Sequence, residues 1–298
     1  MPEYISKMPE YISKKEESSE AINFYIVTSV KGGCGKSSIS FDLAFRQENS
    51  CIIDMDLLGS TWSLLANFAD QLFISEIHDT KDFKTNLIWK KNIKDSVVSI
   101  VMNSNKKGEK TNYLNQMLNA NTPEIETGIF KNVIIHLVEY LIELGYKNII
   151  FDMPSSFDIY SGPIFSYLCK WQTKIKKKDD IRLKLHFVLV SPVTVIGVNS
   201  IYDWIYDYFV FPKDFSYITD IEKIDITVYF VDIFNINDTN LKEKLNNAID
   251  LKMKELRSNT FKLDKINNIL VPFSRLWYDI ANKETPIESF EPFNGDIL

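Results

Sequence analysis

Three glycines, two lysines and two serines fall within eight consecutive residues, Lys31-Gly32-Gly33-Cys34-Gly35-Lys36-Ser37-Ser38. Glycine lets a backbone take positive φ and approach a ligand closely. Successive N–H groups can then turn inward and cradle phosphate oxygens. A helix starting at Lys36 would add the positive end of its dipole. Lys36 would place a point charge on the β- and γ-phosphates, and Ser37 would offer a hydroxyl to Mg²⁺. Types and spacing together predict a loop that wraps a nucleoside triphosphate with its magnesium. Three carboxylates, Asp54, Asp56 and Asp152, follow apolar runs elsewhere in the chain. Ligands of open α/β sheets bind beyond the C-terminal ends of strands, which is where these carboxylates would stand.

The elements that must hold these residues are legible as periodic patterns. Phe24 to Thr28 is an apolar, β-branched run that ends in the glycine-rich turn. Ile39 with Leu43, and Phe41 with Phe45, then recur at the four-residue spacing of a helix. Cys51 to Ile53 reads as a second strand and Val97 to Met102 as a third. Phe130, Val133, Ile134, Leu137, Val138 and Leu141 form the stripe of an amphipathic helix that should stop near Gly145. Asn148 to Phe151, Leu185 to Val190, Ile226 to Val231 and Asn268 to Val271 are four further strands. Continuous apolar strands alternating with helices predict a doubly wound, mostly parallel α/β sheet with helices on both faces. The strands ending at Asp56 and Asp152 are expected to flank the loop strand. Nothing rich in Gly, Pro or Ser divides residues 22–298, so one P-loop domain is expected there. Residues 1–7, MPEYISK, recur as residues 8–14, and 1–21 read as a disordered tail outside the fold.

Composition narrows the function classes. Net charge is −6 with a pI near 5.3, so DNA binding would need a local basic patch. Cys34, Cys51 and Cys169 suit neither a disulfide framework nor a zinc site and fit a reducing, cytoplasmic compartment. No apolar run approaches the roughly 18 residues of a membrane helix, and the polar N-terminus does not read as a signal peptide. His78, His136 and His186 show no metal-ligand spacing. Cys34 reads as a small filler of its loop.

The loop departs from the common G-x-x-x-x-G-K-[ST] pattern, because Val30 stands where the first glycine belongs and Lys31 opens the loop instead. K-G-G-x-G-K-[ST] resembles the deviant phosphate loop of the ParA/MinD family of ATPases. The resemblance continues in order through Asp54-Met55-Asp56 with Gly59, Asp152-Met153-Pro154, Ser191-Pro192 and Val271-Pro272-Phe273, covering about residues 22–287.

What the resemblance implies is specific. Lys31 is similar to the signature lysine that reaches across an ATP-sandwich homodimer to the partner's phosphates. Lys36 joins it in the catalytic set. Asp56 is similar to the carboxylate that positions the attacking water, and Asp152 to the Walker B aspartate on Mg²⁺. Ser37, Asp56 and Asp152 would form the metal set, with Asp54 bracing the metal shell or the strand end. Ser155 and Ser156 replace the second proline usual after the Walker B aspartate. Adenine would lie against Pro272 and Phe273, with Asn235 nearby. ATP and Mg²⁺ are the implied cofactors, and slow, partner-stimulated hydrolysis the implied activity.

The cargo implied by partition members of that family is DNA, held non-specifically, with a centromere-binding (ParB-type) partner. Two basic runs could serve it: residues 170–184, with Trp171 inside, and Lys252, Lys254, Arg257, Lys262 and Lys265, several of which could line one helix face. The acidic end ESFEPFNGDIL lacks the basic amphipathic helix of membrane-binding members. Rival readings are a nucleotide-gated assembly module for a non-DNA cargo, and a ligase-type metabolic enzyme on the same fold.

Overall fold

A computed structural model describes residues 21–56, 62, 74, 83, 85–102, 123–155, 183–207, 225–232, 240–259, 265–272, 286–293 and 296–297. Strand β1 (Ile22–Ser29) runs into the glycine loop, and helix α1 (Lys36–Arg46) follows. Then come β2 (Ser50–Asp54), β3 (Ile88–Ile93), β4 (Ser96–Val101), α2 (Pro123–Glu143) and β5 (Asn148–Ser155). The chain continues with β6 (Leu183–Pro192), α3 (Val195–Ile205), β7 (Asp225–Asp232), α4 (Leu241–Asn259), β8 (Lys265–Pro272) and the short β9 (Asp296–Ile297). The seven strands expected from apolar patterning are all present. Helix α2 stops as expected: Gly145 N–H donates to the Ile142 carbonyl and Tyr146 N–H to that of Leu141, which closes the last turn.

The sheet has the order β3-β4-β2-β5-β1-β6-β7-β8-β9. Pairing is parallel from β4 through β8 and antiparallel at each edge, where β3 pairs with β4 and β9 with β8. The doubly wound, mostly parallel α/β architecture is therefore present. One neighbour relation differs from expectation. Strand β5 lies between β1 and β2, so only Asp152 sits on a strand adjacent to the loop strand. The other neighbour of β1 is β6, so the connection leaving β1 runs to β2 on one side while the connection leaving β5 runs past β1 to β6 on the other. That reversal opens a crevice at the C-terminal end of β1.

Two apolar layers cover the sheet. On one face α2, α3 and α4 pack over Phe24, Ile26, Ile53, Phe151, Phe187 and Val228. On the other, α1 packs with Ile39 and Phe41 over Val27, Ile52, Ile150 and Val190. Residues 286–293 share this second layer. Phe290 is fully buried and meets Phe41, Phe45 and Phe293 edge to face, at centroid distances of 4.7, 5.3 and 5.9 Å. Phe293 N–H donates to Asp42 Oδ1 at 2.9 Å, Arg46 Nε to Asp42 Oδ2 at 2.8 Å, and Arg46 also reaches the Phe293 carbonyl. The exposed pairs Lys91–Glu288 and Lys94–Glu291 tie the same strap to the β3–β4 hairpin.

Apolar burial dominates this strap, because exposed ion pairs contribute little. Phe290→Ala is expected to cost about 3 kcal/mol in urea unfolding. Lys91→Ala should stay within about 1 kcal/mol of the parent protein. Equal effects for the two would mean that the ring is not what seats the strap on α1.

Candidate phosphate-binding site

Loop geometry follows from the glycines. Gly33 and Gly35 adopt φ of +74° and +90°, a region that side chains with Cβ rarely enter. A Cβ on Gly35 would also come within 3.1 Å of Ser38 Oγ. Gly35 caps α1, its carbonyl accepting from Ile39 N–H at 3.1 Å and from Ser38 Oγ at 2.6 Å. Ser38 thus braces the cap. Ser29 Oγ donates to the Lys31 carbonyl at 2.7 Å, and Cys34 Sγ approaches the same oxygen at 3.0 Å. The loop is held in shape from both of its ends. Burial pushes the Cys34 thiol up, against the pull of Lys36 and Lys31. That keeps it in the less reactive protonated form.

The two lysines differ in setting. Lys31 stands exposed at the loop opening, while Lys36 is buried with its Nζ 3.0 Å from Ser155 Oγ. Ser155 reaches that position through a bulge. Val27 pairs with Asp152 and Ser29 with Ser155, so β5 spends one residue more than β1 over this interval. Thr28 Oγ1 donates to the Pro154 carbonyl inside the bulge. Strand alternation alone would turn Ser155 to the face opposite Asp152. The extra residue brings it back toward the loop, where its Oγ also lies 3.4 Å from Ser29 Oγ.

Asp152 is the buried carboxylate of the site. It sits in register with Val27 of β1 and Asp54 of β2. Ser40 Oγ lies 3.2 Å from its Oδ1, and Trp62 Nε1 donates to its Oδ2 at 2.8 Å. Burial pushes its carboxyl above the usual carboxylate range, while the Ser37 hydroxyl, the Lys36 charge and the Trp62 indole draw it back. Asp56 lies half-buried just past β2, and its N–H donates to Asp54 Oδ1 at 3.1 Å. Asp54 is fully buried and braces the strand end, one of the two roles considered for it.

Sequence reasoning missed Ser40 and Trp62. Ser40 had a signal, since it lies one helical turn after Ser37 on the face that meets β5. Trp62 had none. Strands β3 and β9 were missed as well. The lysines of β3 interrupt an edge strand whose buried residues, Ile88 and Ile93, stand only at its two ends.

Other expected residues are placed differently or not at all. Lys252 is engaged by Asp203 at 3.0 Å and Glu255 at 3.1 Å, and Lys254 is exposed elsewhere on α4. The two do not share a face, because two residues turn a helix by about 200°. Exposed positions of α4 also include Glu243, Lys244, Asp250 and Glu255, a surface of mixed sign. Pro272 ends β8 beside Asp232 of β7. Asn235, Phe273, Ser156, Cys169, His78, Lys262, residues 170–182 and residues 1–20 lie outside the described residues, as do the side chains of Pro272, Arg257 and Lys265. His136 pairs with Glu139 on the surface of α2. Among the described residues no helix is long and apolar enough to cross a membrane.

The donor set suits magnesium and a polyphosphate. Mg²⁺ takes one or two protein oxygens plus phosphates and water. The Ser37 hydroxyl and the Asp152 carboxylate meet that need beside a loop whose amides suit anions.

A strand, a glycine loop and a helix N-terminus at the reversal point of a mostly parallel sheet define a P-loop ATPase fold. Solved structures share it at low identity. A ParA family ATPase from Chlorobium tepidum is 15% identical with a TM-score of 0.52, covering 90% of this chain and 92% of its own. The cell division ATPase MinD of Pyrococcus furiosus is 12% identical with a TM-score of 0.54, covering 91% of both chains. McdA from Cyanothece, solved as an ATP complex, is 14% identical with a TM-score of 0.54, covering 89% of this chain and 88% of that one. The chain therefore has the fold of ParA/MinD-type ATPases. No family model and no curated protein matches its sequence.

Proposed function

We propose that residues 22–298 act as one ATPase domain of the ParA/MinD type, binding MgATP and hydrolysing it slowly under the control of a partner protein. The observation that carries this is the placement of buried Lys36 and half-buried Ser37 at the start of α1, beside Asp152 on β5, the strand adjacent to β1. Backbone amides of residues 32–37 bind the β- and γ-phosphates, and Lys36 turns from Ser155 to the γ-phosphate. Ser37 and Asp152 hold Mg²⁺, with Asp56 close by. When bound, Mg²⁺ would offset the negative charge of the phosphates. Asp56 orients the attacking water, and the protein's task is positioning and electrostatics more than covalent chemistry. Pro272, Phe273 and Asn235 form the adenine side.

Lys31 acts in trans, across an ATP-sandwich homodimer, as an arginine finger does. Its exposure at the loop opening supports that role. Lys31→Ala should bind ATP within a few-fold of wild type. It should stay monomeric on size-exclusion with ATP, and turnover should fall about 100-fold or more. A stable ATP dimer with full turnover would remove the cross-subunit role.

The cargo is DNA, partitioned with a centromere-binding partner, in the reading nearest to partition ATPases. A second reading, a non-DNA cargo positioned by the same switch, is favoured by the engagement of Lys252 and the mixed charge of α4. Retention of DNA by the ATP-bound protein, titrated with salt, separates them. A log–log slope of several ions supports DNA, and no ATP-dependent retention supports the second reading.

A further inference from the structure

We propose that Trp62 is a positioning residue of the magnesium site: its indole N–H holds one oxygen of Asp152 and fixes the orientation of that metal-side carboxylate. This rests on the nucleotide-site reading above and adds a residue to it.

Trp62 and Asp152 are 90 residues apart, yet the indole donates to Oδ2 at 2.8 Å, with both side chains almost wholly buried. An indole N–H is a donor only, so it pairs with a carboxylate oxygen in one sense. Ser40 occupies the other oxygen, and Ser37 donates to the same group. The carboxylate plane is thus fixed by donors from α1 and from Trp62. Phe41 stacks on the Trp62 ring at 6.0 Å and 25°, which sets the direction of the N–H. Phe41 lies on α1, the helix that carries Lys36 and Ser37, so one aromatic pair links the loop helix to the metal carboxylate.

Trp62 also follows Asp56 by six residues. The indole contact therefore ties a residue beyond β2 to the carboxylate on β5. Groups that orient a metal ligand in this way govern metal affinity as strongly as they do activity.

The test separates this role from plain packing. Trp62→Phe keeps an aromatic ring against Phe41 and deletes the donor. Affinity for ATP is measured by calorimetry twice, with excess EDTA and across a Mg²⁺ titration. The EDTA value should stay within about twofold of wild type, while the Mg²⁺ concentration that supports tight binding rises about tenfold or more. The indole N–H resonance of Trp62 in the wild-type protein, identified through its contacts with Phe41, supplies a second measurement. It should shift when Mg²⁺ joins the nucleotide complex and stay put when nucleotide is added with EDTA.

A folded Trp62→Phe protein with wild-type Mg²⁺ dependence would overturn the role of Trp62 alone. Should that variant not fold, an indole signal indifferent to Mg²⁺ would overturn it equally. A wild-type protein with no Mg²⁺-dependent affinity for ATP would overturn the site reading and this inference with it.

Discussion

Lys36→Ala is expected to abolish nucleotide binding, raising the Kd for MgATP at least about 100-fold, or some 2.7 kcal/mol. The ammonium is buried at the first turn of α1, 3.0 Å from Ser155 Oγ, with Gly35 capping the helix before it. In that position it adds a charge-assisted hydrogen bond to the field of the loop amides. Such bonds contribute about 1.5–3 kcal/mol each, and the burial of the Lys36 side chain favours the upper end. Its loss leaves the amide cradle facing a phosphate charge that it cannot neutralise alone.

The same substitution should barely change stability without ligand. Lys36 makes a hydrogen bond to the Ser155 hydroxyl and a charge interaction with Asp152 there, and these are offset by the cost of burying it as a cation. Urea midpoints should agree within about 1 kcal/mol, which separates a binding defect from misfolding. Calorimetric ATP affinity within tenfold of wild type would refute the assignment of the loop.

Asp56→Ala is expected to separate binding from chemistry. Asp56 is half-buried beyond β2, held by the hydrogen bond from its N–H to Asp54 Oδ1. Alanine keeps that backbone bond, so the strand end and the Asp152 cluster should survive. ATP binding and the ATP-dependent dimer should persist, while phosphate release falls about 10²- to 10⁴-fold, the usual contribution of a positioned general base. Size-exclusion with ATP and a phosphate-release assay on one preparation read both halves. Unchanged release would assign water positioning to another carboxylate.

Much of this site could be read before any fold was known. The loop, its two lysines, the strand before it and the helix after it are neighbours along the chain. Their physics is local: positive φ at glycine, a helix dipole, a period of two or of 3.6. The carboxylates at the ends of apolar strands were legible for the same reason. The strand order was not. Patterning marks β2 and β5 as buried strands but does not say that β5 inserts between β1 and β2. Edge strand β3 escaped because Lys90, Lys91 and Asn92 interrupt its apolar ends, and β9 because two residues are too short to show a period.

The chemistry around Asp152 shows where the boundary falls. Residue types and spacing by themselves determined a glycine-rich loop at a strand-to-helix corner, and an α/β sheet to carry it. Only the tertiary structure decided that Trp62 and Ser40 grip Asp152, that a bulge turns Ser155 onto Lys36, and that Phe290 seats a distant strap on α1. These partners lie 90, 112, 119 and 249 positions apart in the sequence. A buried polar group must find a partner, and close packing of the whole chain selects which one.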